Sequence, residues 1–389
     1  MGISVDLKAK LAQQFLEIFG SGEKAEVFFA PGRVNIIGEH IDYNGGNVLP
    51  CALTMGTYAL IRRNDEGVAR FASTNFGESG VVEISLEAVK YEIGRGWANY
   101  PAGILAHMQM DGHDMAGFDV LFSGDIPNGA GLSSSASIEV VMADALNKIF
   151  TLGYNMLDIA KLAKRAENQF CGVNCGIMDQ FAVAMCRNKS AVYLNCDTLE
   201  HCHVPLHLGD YAIVIMDTNK RRKLKESKYN ERRAECEQAL YILSKACDLK
   251  HLADLSPEEF AGFGRIITDG TIYRRARHVV TENRRVKEAV EALKAGEMAA
   301  LGALLTKSHV SLRDDYEVSC IELDTIVAEA LKSPVCAGAR MTGAGFGGCA
   351  IALVKREAAA GFIEAVAADY EKIIGYAPNM YLQEILKNS

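Results

Sequence analysis

Positive charge is in deficit along this chain of 389 residues: 41 Lys and Arg face 49 Asp and Glu, for a net charge of −8. A general nucleic-acid binder would usually be basic, so that class is disfavoured. The basic clusters Lys220–Lys223 and Arg274-Arg275 are short and read as solvated faces. No apolar run reaches the ~18 residues that a membrane span needs. The opening residues lack the basic-then-apolar order of a secretory signal. Met1–Asp6 has Asp6 where a myristoylation start wants Ser or Thr. No membrane, no nucleic acid and a cytoplasmic location are the resulting expectations.

Close-spaced cysteines are missing too. There is no Cys-x-x-Cys pair among the eleven cysteines, and most lie in apolar stretches (Cys51, Cys186, Cys349), as reduced core thiols do. His201-Cys202-His203, with Cys196 nearby, offers no convergent ligand set, because alternate strand residues point to opposite faces. There is also no Gly-Lys dipeptide, hence no Walker A loop. Gly and Pro are not in excess, no low-complexity tract or internal repeat appears, and 49% of residues are hydrophobic. Such a composition describes a globular protein with ample core, and its length suggests two domains of roughly 200 residues each.

The densest signal that is present is Ile126-Pro-Asn-Gly-Ala-Gly-Leu-Ser-Ser-Ser-Ala-Ser137. A strand is expected at 117–124, and a helix over 133–150 from the spacing of Ile138, Val141, Met142, Leu146 and Ile149. Between them, Gly129 and Gly131 let backbone approach an anion, and free N–H groups at the helix start would face it. A serine N-cap on an ordinary turn is the bland alternative.

Around this junction the pattern predicts an opening helix on Leu7, Leu11, Phe15 and Ile18, then strands at 26–30, 48–53, 57–62, 68–72 and 81–84. Helices are expected at about 98–110, 155–170 and 176–186, and a strand at 191–195. The second half reads as a strand at 211–216 and helices at about 226–248, 271–295, 297–312 and 319–332. It closes with strand, glycine turn, strand, helix and strand from 338 to 384. Strands and helices do not alternate regularly, so the expectation is α+β in two lobes, residues 1–200 and 201–389.

Gly343-Ala-Gly345-Phe-Gly-Gly348 matches the dinucleotide fingerprint in letters only. A strand, Cys349–Val354, follows the glycines where the fingerprint needs a helix. A glycine turn, or backbone that must approach a ligand closely, fits better, and an NAD-linked oxidoreductase is disfavoured.

Pro31-Gly-Arg33-Val-Asn-Ile-Ile-Gly-Glu39-His40-Ile-Asp42-Tyr43-Asn44-Gly-Gly46 is the second dense region. Its ionisable residues lie among Val34, Ile36, Ile37 and Ile41, so it should fold inward, where charges need partners or a ligand. Carboxylates and an imidazole can hydrogen-bond a polyol, and Arg33 could steady a phosphoryl group. The third region, Glu167 to Gln180, places Gly176 at a helix start and Asp179 in the first turn. There Asp179 could simply favour the helix dipole, and Glu167 could be an ordinary helix residue.

Together these motifs resemble the galactokinase family. Gly32–Gly46 is similar to its signature, and 127–137 to the phosphate loop shared by galactose, homoserine, mevalonate and phosphomevalonate kinases. Residues 341–348 resemble that superfamily's third motif. Cys175–Gln180, Tyr229 with Arg232-Arg233, and Arg275–Glu282 are galactokinase-like as well. The resemblance implies a ribosomal S5 domain 2-like N-terminal lobe, a ferredoxin-like C-terminal lobe and an active site in the cleft between them. It implies phosphorylation of α-D-galactose at C1 by ATP with Mg²⁺, in a monomer. By position, Asp179 matches the catalytic base and Arg33 the residue that orients it. Glu39, His40, Asp42, Gly176 and Tyr229 match sugar contacts. Gly129, Ala130, Gly131, Leu132, Ser133, Ser134 and Ser135 match the phosphate cradle, Ser135 and Glu167 the Mg²⁺ ligands, and Trp97 and Tyr100 neighbours of adenine.

One position departs from the common pattern: Ile41 stands where many galactokinases have Thr, as in N-acetylgalactosamine kinases. Those kinases depart from Asn44-Gly-Gly46, however, and lack the Ser135–Glu139 run. Non-catalytic galactose sensors of this superfamily lack two residues of the serine-rich loop, which is intact here. An active galactokinase is therefore expected over either alternative.

Overall fold

The computed structural model describes residues 5–127, 129–187, 189–220 and 225–383. Asn128 of the glycine loop, the chain's first residues and Arg221–Lys223 of the basic cluster lie outside the described residues. The chain begins α1 (Val5–Phe19), β1 (Glu26–Asn35), β2 (Asn47–Val48), β3 (Pro50–Arg63), β4 (Val68–Ser73), β5 (Val82–Ser85), α2 (Asn99–Met110), β6 (Phe118–Gly124), α3 (Ser134–Phe150), α4 (Met156–Gln169) and α5 (Met178–Met185). It continues β7 (Ser190–Asn195), β8 (His201–Pro205), β9 (Tyr211–Asp217), α6 (Lys225–Leu243), α7 (Pro257–Phe263), α8 (Gly270–Ala295), α9 (Met298–Asp314), α10 (Ile321–Lys332), β10 (Cys336–Met341), β11 (Cys349–Lys355), α11 (Ala359–Ile374) and β12 (Asn379–Gln383).

Two compact units divide these elements. One holds Met1–Gly32, Met55–Pro127 and Ser133–Met185; the other holds Arg33–Thr54, Asn128–Leu132 and Cys186–Ser389. Chain segments thus alternate between the units. The signature segment after Gly32 makes long-range buried hydrogen bonds with residues 282, 340, 342 and 343 of its own unit.

In the first unit, β3 pairs antiparallel with β6, β6 parallel with β4, and β4 antiparallel with β5. The period-2 alternation of a strand gives this sheet two apolar faces. Ala59, Ile61, Phe118, Val120 and Phe122 join a core with Ile104 and Leu105 of α2, Val141 and Leu146 of α3, and Leu162 of α4. Leu60, Ala72 and Leu121 face the other way and pack with Leu11, Phe15 and Phe19 of α1. Gly56 lets two backbones meet, since a Cβ there would lie 2.3 Å from the Ala30 carbonyl oxygen. A capping box starts α4: Asn155 accepts from Leu157 N and Asp158 N, and Asp158 returns a bond to Asn155 N.

In the second unit, β9, β10, β11 and β12 form an antiparallel sheet in the order β10-β11-β9-β12. Strand β7 pairs with β2 and β8. Helix α9 crosses β10 at a glycine contact, where a Cβ on Gly338 would fall 1.9 Å from the Gly302 carbonyl oxygen.

Most expected elements are present. The separate strands expected at 48–53 and 57–62 are instead one strand, β3, with β2 before it. Helix α6 ends at Leu243, short of the expected 248, and α7 and β8 were not anticipated as elements. Among the described residues no helix is long and apolar enough to cross a membrane. All eleven cysteines are free thiols.

Candidate functional site

In the second unit the signature turns inward as its apolar residues require, with Val34, Ile36, Ile37 and Ile41 buried. Glu39 is 1% exposed, and its carboxylate is fully engaged at Oε1: Thr342 Oγ1 donates at 2.8 Å, Gly343 N at 2.7 Å, and Arg340 forms an ion pair at 3.3 Å. Arg340 is fully buried and also donates from Nη1 to the carbonyls of Asn35 and Ile36, both at 2.9 Å. The third glycine motif therefore supports the signature directly. Sequence reasoning missed Arg340 and Thr342; the signal was an arginine in a strand of otherwise apolar character.

His40 has a left-handed backbone (φ 63°), rare for a residue with a side chain. Its ring lies 5.5 Å from that of Tyr229, so the structure brings together two of the expected sugar contacts. Burial and the nearby His278 pull the His40 pKa down to about 3. Asp42 opens a single helical turn, Asp42–Asn44, closed by Gly45 at φ 73°. Ile41 is fully buried, and a Cβ on Gly46 would lie 2.8 Å from its side chain. Ile41 thus fills the interior of the loop.

Arg33 is buried; its Nη1 donates to the Gly131 carbonyl at 2.8 Å and its backbone N to the Leu132 carbonyl at 3.2 Å. The glycine loop bends through positive φ at Gly129 (74°) and Gly131 (81°). A Cβ on Gly343 would sit 2.8 Å from the Gly131 oxygen, so the two glycine motifs approach closely, backbone to backbone. Ala130 and Leu132, on either side of Gly131, are buried.

The first unit holds the remaining candidates. Helix α3 begins at Ser134, and Ser133 precedes it in a left-handed conformation (φ 62°) without capping it through its side chain. The Ser133 hydroxyl is buried without a hydrogen-bond partner among the described residues. Ser134 and Ser135 are half-buried in the first turn. Ser137, in contrast, is structural, since its Oγ donates to Ala30 O at 2.8 Å. Asp179 lies in the first turn of α5, as expected, and Gly176 is buried just before it.

Glu167 of α4 belongs to a buried acidic group that sequence reasoning only half found. Gln180 Nε2 donates to Glu167 Oε2 and, at 3.4 Å, to Glu139 Oε2. Burial, then the charges of Glu167 and Asp179, push the Glu139 carboxyl well above its ordinary range. Glu139 Oε1 and Gln180 Oε1 are buried and have no hydrogen-bond partner among the described residues. These hard, unsatisfied oxygens beside a carboxylate suit a cation such as Mg²⁺, which takes one or two carboxylates and leaves its other positions to water and phosphate. No group of three or more His, Cys, Asp or Glu that could hold a metal occurs among the described residues. Trp97 stacks on Phe76 (ring centroids 6.0 Å apart, 10° between planes), and its buried Nε1 has no partner among the described residues. Tyr100 is half-buried in the first turn of α2.

Three family models match the chain: the galactokinase galactose-binding signature over residues 13–63, the GHMP kinases N terminal domain over 99–187 and the GHMP kinases C terminal over 289–372. The galactokinase of Clostridium beijerinckii is 50% identical over 376 residues, covering 96% of each chain. That of Streptococcus thermophilus is 48% identical over 382 residues, covering 98% of each. The crystal structure of Lactococcus lactis galactokinase complexed with galactose superposes with a TM-score of 0.95 at 45% identity, covering 97% of this chain and 98% of that one. Methanococcus jannaschii mevalonate kinase, at 18% identity and a TM-score of 0.67, shares the fold over 94% of this chain and 99% of its own.

Proposed function

The chain belongs to the galactokinase family, with its mixed α/β two-domain fold, and from that premise we propose that it transfers the γ-phosphoryl group of ATP to the C1 hydroxyl of α-D-galactose, giving α-D-galactose 1-phosphate and ADP. The observation that carries this reading is the near-complete superposition on a galactokinase that binds galactose. It gains support from the inward-folded signature around Glu39 and His40. The buried position of Ile41 inside the loop favours galactose over N-acetylgalactosamine, because that residue is then a core choice and not a sugar contact.

In this proposal Asp179 accepts the C1 hydroxyl proton as the oxygen attacks phosphorus; a carboxylate in hydrogen-bond reach is a suitable acceptor for a weak nucleophile. Arg33, permanently charged, orients Asp179 and steadies developing charge. Glu39, His40, Asp42, Gly176 and Tyr229 hold the sugar. Backbone from Gly129 through Ala130, Gly131, Leu132, Ser133 and Ser134 to Ser135 cradles the phosphates, where helix-start N–H groups favour anions. Trp97 and Tyr100 flank adenine. Ser135 and Glu167 would hold Mg²⁺, which when bound neutralises phosphate charge.

The proposal extends to an S5 domain 2-like lobe and a ferredoxin-like lobe, with the active site in the cleft between them. The signature and phosphate loop fall within residues 1–200 and the third glycine motif within 201–389. A monomer acting in the cytoplasm, on small molecules alone, completes it. The test is ADP release with Mg-ATP against galactose, N-acetylgalactosamine, glucose and arabinose in parallel. Turnover confined largely to galactose supports the reading. Preference for the acetamido sugar, or galactose binding without turnover, contradicts it.

A further inference from the structure

His40 stands in the middle of the signature, and the protein engages both of its ring nitrogens. Nε2 lies 3.2 Å from the Ala344 carbonyl oxygen, which can only accept, so Nε2 carries the proton. In a neutral imidazole Nδ1 is then an acceptor, and the Tyr43 hydroxyl, 2.8 Å away, donates to it. The Tyr43 oxygen accepts in turn from the Tyr316 hydroxyl at 2.8 Å. The Tyr316 oxygen accepts from the Cys236 thiol at 3.0 Å. Each hydroxyl has one proton to give, so the carbonyl at one end sets the direction of the whole chain. Burial keeps every member uncharged at neutral pH: it lowers His40 to about 3, raises Cys236 to about 12, and raises both tyrosines well above their ordinary value.

The far end of this chain is clamped. Arg232 Nε donates to the Tyr316 carbonyl at 2.8 Å and Nη2 to the Glu317 carbonyl at 3.3 Å. Arg275, 1% exposed, donates to the Asp315 carbonyl at 2.6 Å and pairs with Glu235 and Glu317 at 2.7 and 2.6 Å. Three consecutive carbonyls, 315 to 317, are thereby fixed. The His278 ring packs 4.5 Å from that of Tyr316, and its Nε2 donates to the Glu39 carbonyl at 3.1 Å. This gives physical work to the galactokinase-like residues Arg232, Arg275 and His278, which contact neither phosphate nor sugar in the scheme above.

We propose that Tyr316, backed by Cys236, is a positioning residue for sugar binding: the relay Cys236–Tyr316–Tyr43–His40–Ala344 locks His40 as its Nε2–H tautomer, so that His40 shapes the Glu39–Asp42 loop and offers ring surface instead of a ring nitrogen to a sugar hydroxyl. The inference rests on the galactokinase reading for the identity of the sugar. The left-handed backbone of His40 is an unfavourable conformation for a residue with a Cβ, and the two ring hydrogen bonds act there together with the bond that Asn44 Nδ2 donates to the His40 carbonyl at 3.0 Å.

The experiment combines nitrogen-15 histidine NMR of the full-length protein, with and without galactose, and steady-state kinetics of Tyr316→Phe, Cys236→Ala and Cys236→Ser. The His40 signals, assigned by their loss in His40→Gln, should report the Nε2–H tautomer in the free protein and keep it when galactose is added. Tyr316→Phe should raise the galactose KM by about three- to tenfold, the worth of one hydrogen bond, leave the ATP KM unchanged and mix the tautomers. Cys236→Ala should move the galactose KM the same way, and Cys236→Ser, which keeps a donor, should restore it. A His40 tautomer that switches on adding galactose overturns the proposal. An unchanged galactose KM in Tyr316→Phe does so too, or in Cys236→Ala should the tyrosine variant not fold. The free-protein tautomer is read without any turnover, so a failure to phosphorylate galactose would count against the functional reading alone.

Discussion

Glu39 Oε1 accepts a hydrogen bond from the backbone nitrogen of Gly343 at 2.7 Å, tying the sugar signature to the third glycine motif across 304 positions of the chain. The same oxygen faces Arg340. Both side chains are removed from water, so neither can lose its partner cheaply.

Replacing Arg340 by Met keeps the length of the side chain but strands Glu39 and two backbone carbonyls. Breaking a buried pair from one side costs about 3–5 kcal/mol. Urea unfolding of Arg340→Met should show that loss. A midpoint equal to wild type would mean that the ion pair does not contribute to stability.

Asp179→Asn preserves shape and removes the base. Turnover should fall by about 10²–10⁴-fold, with the unfolding free energy within about 0.5 kcal/mol of wild type, as expected for a half-exposed position. Wild-type kcat in this variant would remove Asp179 from the catalytic role.

Acid should destabilise the protein in two stages. Burial holds His40 and His278 near 3 and 4, below the ordinary 6.5, so the unfolded chain binds more protons as pH falls below 6.5. Their contribution is complete above pH 6.5 and is lost between there and about 3. Glu282 follows at lower pH. Burial opposes its ionisation, but Arg285 foremost, with His278, Arg340 and the Ser308 hydroxyl, brings it down to about 2 from 4.5. Its stabilisation, on the order of 3 kcal/mol, is present above pH 4.5 and lost below. Denaturant midpoints measured from pH 7.5 to 4 should fall steadily below 6.5, with proton uptake on unfolding. A flat profile from pH 7 to 5 contradicts the assignment.

Gly338→Ala should be poorly tolerated, because its Cβ would fall 1.9 Å from the Gly302 carbonyl oxygen and backbone would have to move. Overpacking of this kind costs about 1–3 kcal/mol or more. Thermal unfolding is the check, and a variant as stable as wild type would show that α9 and β10 can separate there.

What the sequence disclosed was the part whose logic is local. Glycines followed by serines at a helix start, and charges set among Val34, Ile36, Ile37 and Ile41, mark their segments without knowledge of the rest of the fold. What stayed hidden depends on distant partners. Arg340 reads as a surface charge on a strand until Glu39 is seen beside it. Tyr316 follows a helix and carries no motif, yet it ends the chain of hydroxyls behind His40. Glu139 carries no signal of its own in the run that follows the serines, and only Gln180 and Glu167 make it part of a buried acidic group. The pattern divides strand β3 in two at Gly56 and its neighbours, whereas the glycine admits the Ala30 backbone. The short helix α7 has a capping box, Ser256 with Glu259, that was legible but overlooked.

The most direct test of the central claim is phosphorus NMR of the product made from galactose and Mg-ATP. The account predicts an ADP signal growing in step with a phosphate ester coupled to the anomeric proton of the α sugar. A phosphate on any other carbon, or ADP without a sugar phosphate, would contradict it.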